Sequence, residues 1–527
     1  MYKIIFIISV ALSFYGCSEE TKKEKKSSSS LKVVATDLSM QNEAISFISN
    51  QENPAMYGSI KLNQLLNKAY YNSEVSKSSL LKSAMAKDVI NEVERIKSYI
   101  NTAMPIYYTV NIESASPMPI VDVVAFGGIN DREAILKEMK KMDPKMSSKK
   151  HGNFELIEQP GVAMAMTKDK FVFSFNSNLR SDGNTVSKFK KYFKSFKGKP
   201  DARVKQVIEN SKDVTMTYDF GNLSEVLSDY LSEADIPDFN PNVLSSMEWL
   251  EEFDMTSSMN LAFEDGSISL SVDMYGSKEM KETIKNLMGS SSKETIQRMG
   301  QGKPFAGILA SINIAEYQKM IYEMYPDGII NSLMDMNLGD EFESQIPSEL
   351  STLEATLRKD GFESFVGGDF GMMLYNIPSK MNDIIPELSV YLSIGENLKK
   401  LIDENELPDT GKNDVTIDVQ NDQINIYSKN HAPNGKGPEL SGKLSHIGNA
   451  PFSGFVDLDQ IPMDNLPKEI KDFRSILDML NFVDMEMDVN GGRITIHMKD
   501  KSKNALTQLM DEALEIGMQL FTEGLFL

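Results

Sequence analysis

A single cysteine, Cys17, serves 527 residues, so no intramolecular disulfide can form. Beyond the N-terminal segment, no apolar run reaches the roughly 20 residues that cross a bilayer as a helix. Basic residues are outnumbered, 55 against 76 acids, for a net charge of −21 and a pI near 4.8. That balance argues against nucleic acid, whose binding needs a basic stripe. Only four histidines occur, His151, His431, His446 and His497, and no two stand at the i, i+4 spacing that holds zinc on a helix. No G-x-S-x-G elbow marks a nucleophilic serine.

What is present describes a globular chain. Hydrophobic residues make up 41% and charged residues 25%, the proportions of folded domains. A single core does not grow to this length, so two or more domains are expected. The 33 methionines read first as core filler, because several fall at alternating strand positions.

Cys17 has a distinctive setting. Lys3 precedes the short apolar stretch from Ile4 to Leu12, small Gly16 comes just before the cysteine, and a polar tract follows from Ser18 to Ser30. A charge followed by a short apolar stretch has the form of a secretory signal. The tract cannot bury apolar surface and reads as a solvated tether. The segment resembles the lipobox of bacterial lipoproteins, in the looser form of Bacteroidota envelope lipoproteins. That resemblance implies lipidation of Cys17, which becomes the first residue of the mature chain, and rules it out as a nucleophile. The acidic pair Glu19-Glu20 resembles the export signal that sends such lipoproteins to the outer cell surface. Residues 1–16 are thus expected to be a signal peptide and 17–35 a flexible tether.

A repeat runs through the remainder. Four apolar strands each end in a short polar signature that opens a helix, at Leu62, Phe220, Ile314 and Leu458. Period-two alternation gives way to helical spacing at each of them, and the short polar residues suit helix N-caps. Four hairpins accompany them, turning at Lys168-Asp169, Asp265-Gly266, Asn421-Asp422 and Asn490-Gly491. Asp-Gly and Asn-Gly favour the type I′ turn, which needs positive φ at both central residues. Leu62 and Ile314 stand 252 positions apart, Asp169 and Asp422 stand 253 apart, and Phe220 and Leu458 stand 238 apart. The same order of elements therefore occurs twice. The expectation is a tandem duplication, residues 36–297 and 298–527, with the boundary in a Ser- and Gly-rich stretch before Lys303.

The last hairpin suggests the fold class. Met485, Met487 and Val489 alternate with Asp484, Glu486 and Asp488, and Ile494, Ile496 and Met498 alternate with Arg493, Thr495 and His497. One apolar and one charged face describe an antiparallel sheet with one side in water. An α+β fold follows, two tandem domains each with an antiparallel sheet and helices packed on its apolar face. The acids of the polar face are expected to pair with Arg493 and His497. The C-terminal segment places Leu506, Leu509, Met510, Ala513 and Leu514 on one side of a helix, read as core packing.

Motifs that carry chemistry fall short. Gly437–Leu444 matches a phosphate loop until Leu444 stands where Ser or Thr must hold magnesium, so it reads as a loop. Asp335–Glu341 alternates oxygen ligands like a calcium loop, but Ile346 occupies the position of the bidentate glutamate. No catalytic, cofactor-binding or metal residue is assigned, and no cofactor is expected.

The lipobox, the repeated strand-to-helix start and the chain length resemble a family of Bacteroidota envelope lipoproteins that brings no catalytic residues. The resemblance implies a lipid-anchored protein of the outer membrane, displayed at the cell surface or facing the periplasm. A non-enzymatic binding or structural role with a protein or glycan partner in the envelope is expected. A carrier of an apolar ligand such as lipid, in a cavity lined by Met164, Met166 and Phe173, is the alternative. A hydrolase of envelope polymers is a third reading.

Overall fold

The computed structural model describes residues 35–52, 54–70, 95, 97–113, 120–142, 148–159, 161–176, 185–224, 255–324, 348–376, 387–404, 415–420, 422–461 and 474–522. Cys17, most of its tether and the Asp335–Glu341 loop lie outside these residues. The chain's contacts gather into two compact units. The first comprises residues 1–217, 262–265 and 502–527, and the second comprises 218–261 and 266–501. Both are mixed α+β, and every strand pairing described below is antiparallel.

In the first unit a helix, α1 (Gln41–Ser49), precedes β1 (Pro54–Ile60), which runs into α2 (Leu62–Tyr70). Then come β2 (Ile100–Asn101), β3 (Ile106–Glu113), β4 (Ile120–Ile129) and α3 (Arg132–Met142). Strands β5 (Ser148–His151), β6 (Phe154–Gln159), β7 (Val162–Met166) and β8 (Lys170–Asn176) follow, then α4 (Thr185–Ser195), α5 (Ala202–Glu209) and β9 (Val214–Asp219). The sheet order is β1-β3-β4-β8-β7-β6-β5, with β2 continuing the β3 side of β4. Asp201 starts α5 by accepting the amides of Arg203 and Val204, two of the donors a helix N-terminus leaves unpaired. Gly58 of β1 lies so close to the Thr215 carbonyl of β9 that a Cβ would come within 1.9 Å.

Helices cover both faces of this sheet, where one was expected. Phe126 and Val172 share one face because they are register partners, and Ala125 shares the other with Phe173. On the first face Phe47 of α1 and Phe196 press on Phe126 at 4.5 and 5.1 Å between ring centroids. On the second, Ile135, Leu136 and Met139 of α3 join Met164, Met166, Phe171 and Phe173 in one core cluster. Strands β7 and β8 are largely apolar on both sides, as the composition of a doubly covered sheet demands. Met164, Met166 and Phe173 are therefore packed core beneath α3.

Strand β10 (Thr256–Glu264) leads through Asp265-Gly266 into β11 (Ser267–Tyr275), followed by α6 (Lys278–Leu287) and α7 (Lys293–Arg298). Then come β12 (Ala306–Ser311), α8 (Ile314–Met324), α9 (Ser348–Asp360), β13 (Val366–Leu374), β14 (Leu388–Ile394) and α10 (Glu396–Glu404). Strands β15 (Val415–Val419), β16 (Gln423–Ser428), β17 (Phe452–Asp457), β18 (Leu480–Asp488) and β19 (Gly491–Met498) complete the second unit, with α11 (Arg474–Met479) before β18. Nine strands form its sheet in the order β11-β19-β18-β17-β12-β13-β14-β16-β15.

The strand-to-helix switches use the short polar side chains as caps. Asn313 accepts the Glu316 amide at 3.3 Å, and Asp219 accepts the Asn222 amide at 3.1 Å. Asp457 accepts the Asp459 amide at 3.3 Å, and a 3-10 turn (Leu458–Gln460) replaces the fourth helix. The C-terminal helix α12 (Ala505–Thr522) belongs to the first unit and packs on α2. At its start Ala505, Thr507 and Gln508 are buried, while Leu506, Leu509 and Met510 are half-buried.

Candidate functional site

The second unit's sheet has two unlike faces. One carries a closed core in which Leu309, Met373, Tyr391, Phe455 and Phe482 join Met299, which follows α7, and Leu444 and Ile447. Leu309 and Met373 are 0% exposed, and Phe482 is 4% exposed.

Polar groups of this face pair among themselves. Asp484, buried beside Phe482 on β18, accepts Nε2–H of His497 at 2.9 Å, and His446 Nε2 stands 3.3 Å from the same oxygen. The His497 ring stacks on Phe482 at 3.9 Å and 9°. Burial pushes the Asp484 carboxyl upward, but the His497 hydrogen bond and the charges of His497, His446 and Arg493 outweigh it, so it titrates below the ordinary range. Nearby, Lys443 donates to Asp457 at 2.6 Å, to Asn481 at 2.6 Å and to Asp459 at 3.1 Å. The lysine of the phosphate-loop look-alike is thus committed to carboxylates, and Gly442–Leu444 forms a 3-10 turn.

The histidines, scattered in sequence, are partly gathered by the fold. His446 and His497 meet at Asp484. His431 stacks on Tyr375 at 3.7 Å, with ring nitrogens 2.8 Å from the Gln301 carbonyl and 3.0 Å from Glu387. His151 sits on β5 beside Phe154. No signal in the sequence announces the Asp484 cluster, since its members lie 13 and 38 positions apart on different elements. Among the described residues, no three His, Cys, Asp or Glu are arranged to hold a metal ion. A cleft of about 610 Å³ opens between Met288–Ser290 and Asn449–Pro451, with Glu486 and Asp488 on its wall.

The opposite face is apolar from edge to edge. Leu270 faces Ile494, Ile494 faces Met485, Met485 faces Gly454 and Gly454 faces Ile308. Beyond β12 the same row continues through Met372, Val390, Ile426 and Ile417. The adjacent row, from Val272 through Met487, Phe452 and Phe370 to Val419, is equally free of polar side chains. Most of these residues are half-buried, with Met487 40% and Ile494 43% exposed. This departs from the expectation drawn from the last hairpin: its charged side carries the buried Asp484 and Phe482 beside the exposed Arg493 and Asp488, and its apolar side includes the exposed Met487 and Ile494. Asp484 can be buried because His497 and His446 stand against it, which offsets its desolvation.

No family model matches the chain, and neither does any curated protein. Two solved chains show some likeness. One, "Structure of crystal form IV of TP0453", is 10% identical over 45% of this chain and 83% of that one, with a TM-score of 0.24. The other, "Structure of crystal form III of TP0453", is 9% identical over 71% of this chain and 89% of that one, with a TM-score of 0.14. Scores this low define no shared fold. The class established here is a mixed α+β protein built on antiparallel sheet.

Proposed function

We propose that the chain is a non-enzymatic lipoprotein of the outer membrane or cell surface, anchored through Cys17 and serving a binding or structural role. The anchor rests on the signal-like stretch, Gly16 and the solvated tract after the cysteine. The observation that carries the binding role is the open apolar face of the second unit, since extended apolar surface on a folded domain marks an interaction site. A protein or glycan partner in the envelope fits the role in general terms. The same face favours the narrower reading of a carrier for an apolar ligand. No helix among the described residues is long and apolar enough to cross a membrane. Membrane fractionation tests the anchor: Cys17→Ala moves the mature protein into the soluble fraction, and retention in the membrane pellet sinks the reading.

The two repeats, residues 36–297 and 298–527, are proposed as a tandem duplication. The pairing order β1-β3-β4-β8-β7 in one is matched by β12-β13-β14-β16-β15 in the other, element for element. Contacts divide the chain differently from the repeats. The last strand of each repeat, β11 and β19, pairs with the other inside the second unit.

A further inference from the structure

Two helices in matching places treat their sheets differently. In the first unit α3 lays Ile135, Leu136 and Met139 on the apolar face of β7 and β8. In the second, α10 follows β14 as α3 follows β4, yet it buries none of its residues, and Leu401 is 46% exposed. Among the described residues, the face that α3 closes in one unit is left half-buried in the other. Nine strands at about 4.8 Å spacing make that face roughly 40 Å wide.

Its chemistry narrows what can occupy it. A protein partner's interface carries about one hydrogen bond per 100–200 Å² and a polar rim, which rows without a side-chain donor or acceptor cannot supply. Backbone groups are no substitute, because the strand ladders already consume them. An alkyl chain needs only dispersion and the release of water. Met372, Met485 and Met487 add unbranched, polarizable side chains that adapt to a flexible guest. The methyl end of Met485 lies over Gly454 and fills the space a side chain there would take, so the middle of the row is surfaced by a flexible thioether.

We propose that the apolar face formed by β11, β19, β18, β17, β12 and the strands beyond binds the acyl chain of a lipid. This deepens the carrier reading and rests on it. Acyl contact is centred on the row through Ile494, Met485 and Ile308, and the two exposed positions, Met487 and Ile494, form its accessible end.

The test uses the purified full chain and a palmitic acid analogue with a diazirine near its methyl end. After irradiation, adducts are mapped by mass spectrometry on peptides spanning β11, β12, β18 and β19. Expected are adducts at Met485, Met487 and Ile494. Labelling should fall by about tenfold or more in the double variant Met487→Lys, Ile494→Lys, which places charge against alkyl surface. Both positions are exposed, so that variant should keep the native melting curve. Adducts confined to other strands overturn this face while leaving a carrier in place. No labelling at all removes the face and the carrier reading together, and Cys17→Ala fractionation still reports on the anchor separately. Light scattering covers the remaining occupant: a dimer that the double variant dissociates, without lipid labelling, assigns the face to a second copy and overturns the proposal.

Discussion

Leu270 and Ile494 face each other at the centre of the β11–β19 ladder, and each is the fourth residue of its strand. Hairpins β10–β11 and β18–β19, laid turn on turn, bring these two residues into the same place. The seven register pairs from Ser267↔His497 to Asp273↔Gly491 are therefore close to two-fold symmetric about that one. A pair of equivalent strands meeting isologously is how two identical chains associate, which accords with the proposed duplication.

The ladder depends on Gly491. Its φ is 139°, and a Cβ would come within 1.8 Å of the Val272 carbonyl on β11. Gly491→Ala should cost about 2 kcal/mol or more, from the strained backbone alone. Urea unfolding followed by circular dichroism measures it, and an unchanged midpoint contradicts the geometry.

In the first unit the aromatic cluster is centred on Phe126, which has Phe47, Tyr107 and Phe196 between 4.5 and 5.6 Å away. Phe126→Ala should destabilise by about 4 kcal/mol, as large-to-small changes do in rigid cores. Phe126→Leu should cost clearly less. Chemical denaturation of both variants separates lost volume from lost ring contacts.

Asp213 is 2% exposed and holds Lys68 through both oxygens, at 2.6 and 2.7 Å, while its Oδ2 accepts the Phe263 amide. Burial lowers the Lys61 ammonium below the ordinary lysine range, with Asp213 opposing and Lys212 and Lys68 adding to the shift. Removing the carboxylate leaves two lysines facing each other in a poorly hydrated place. Asp213→Ala should therefore cost about 3 kcal/mol, and adding Lys68→Met should recover part of that loss in a double-mutant cycle.

Acid should act through Asp484. Its folded-state pKa lies below the ordinary carboxylate value, which is about 3.9. A depressed carboxyl contributes stability that is complete above the unfolded value and disappears as pH falls through the folded one. Wild-type stability should fall more steeply than that of Asp484→Asn between about pH 4 and pH 2. Thermal melts across that range decide it, and parallel curves count against the coupling.

Local structure was largely legible in advance. The switches at Leu62 and Ile314 open helices where the apolar spacing changes period, and Asn313 caps the second of them. The chain turns at Lys168-Asp169 and Asp265-Gly266 as expected, Asn421 of the third turn lies outside the described residues, and at the last one Val489-Asn490 forms the turn and Gly491 begins the strand. What could not be read was the partner of each face. Met485 and Asp484 alternate in sequence equally well whichever side is covered. The pairing of Asp484 with His446 and His497 requires elements that only folding brings together.

The sequence by itself determined where strands, turns and helix starts fall, because those depend on φ preferences, capping and periodicity within a few residues. It also set the acidic balance and the setting of Cys17. Only the tertiary structure decided which sheet face is packed. Burial depends on what lies opposite, and in the second unit Asp484, with His446 and His497 against it, lies on the side of the sheet that carries the core. Among the described residues, α10 buries none of its side chains, whereas α3 lays Ile135, Leu136 and Met139 on its sheet.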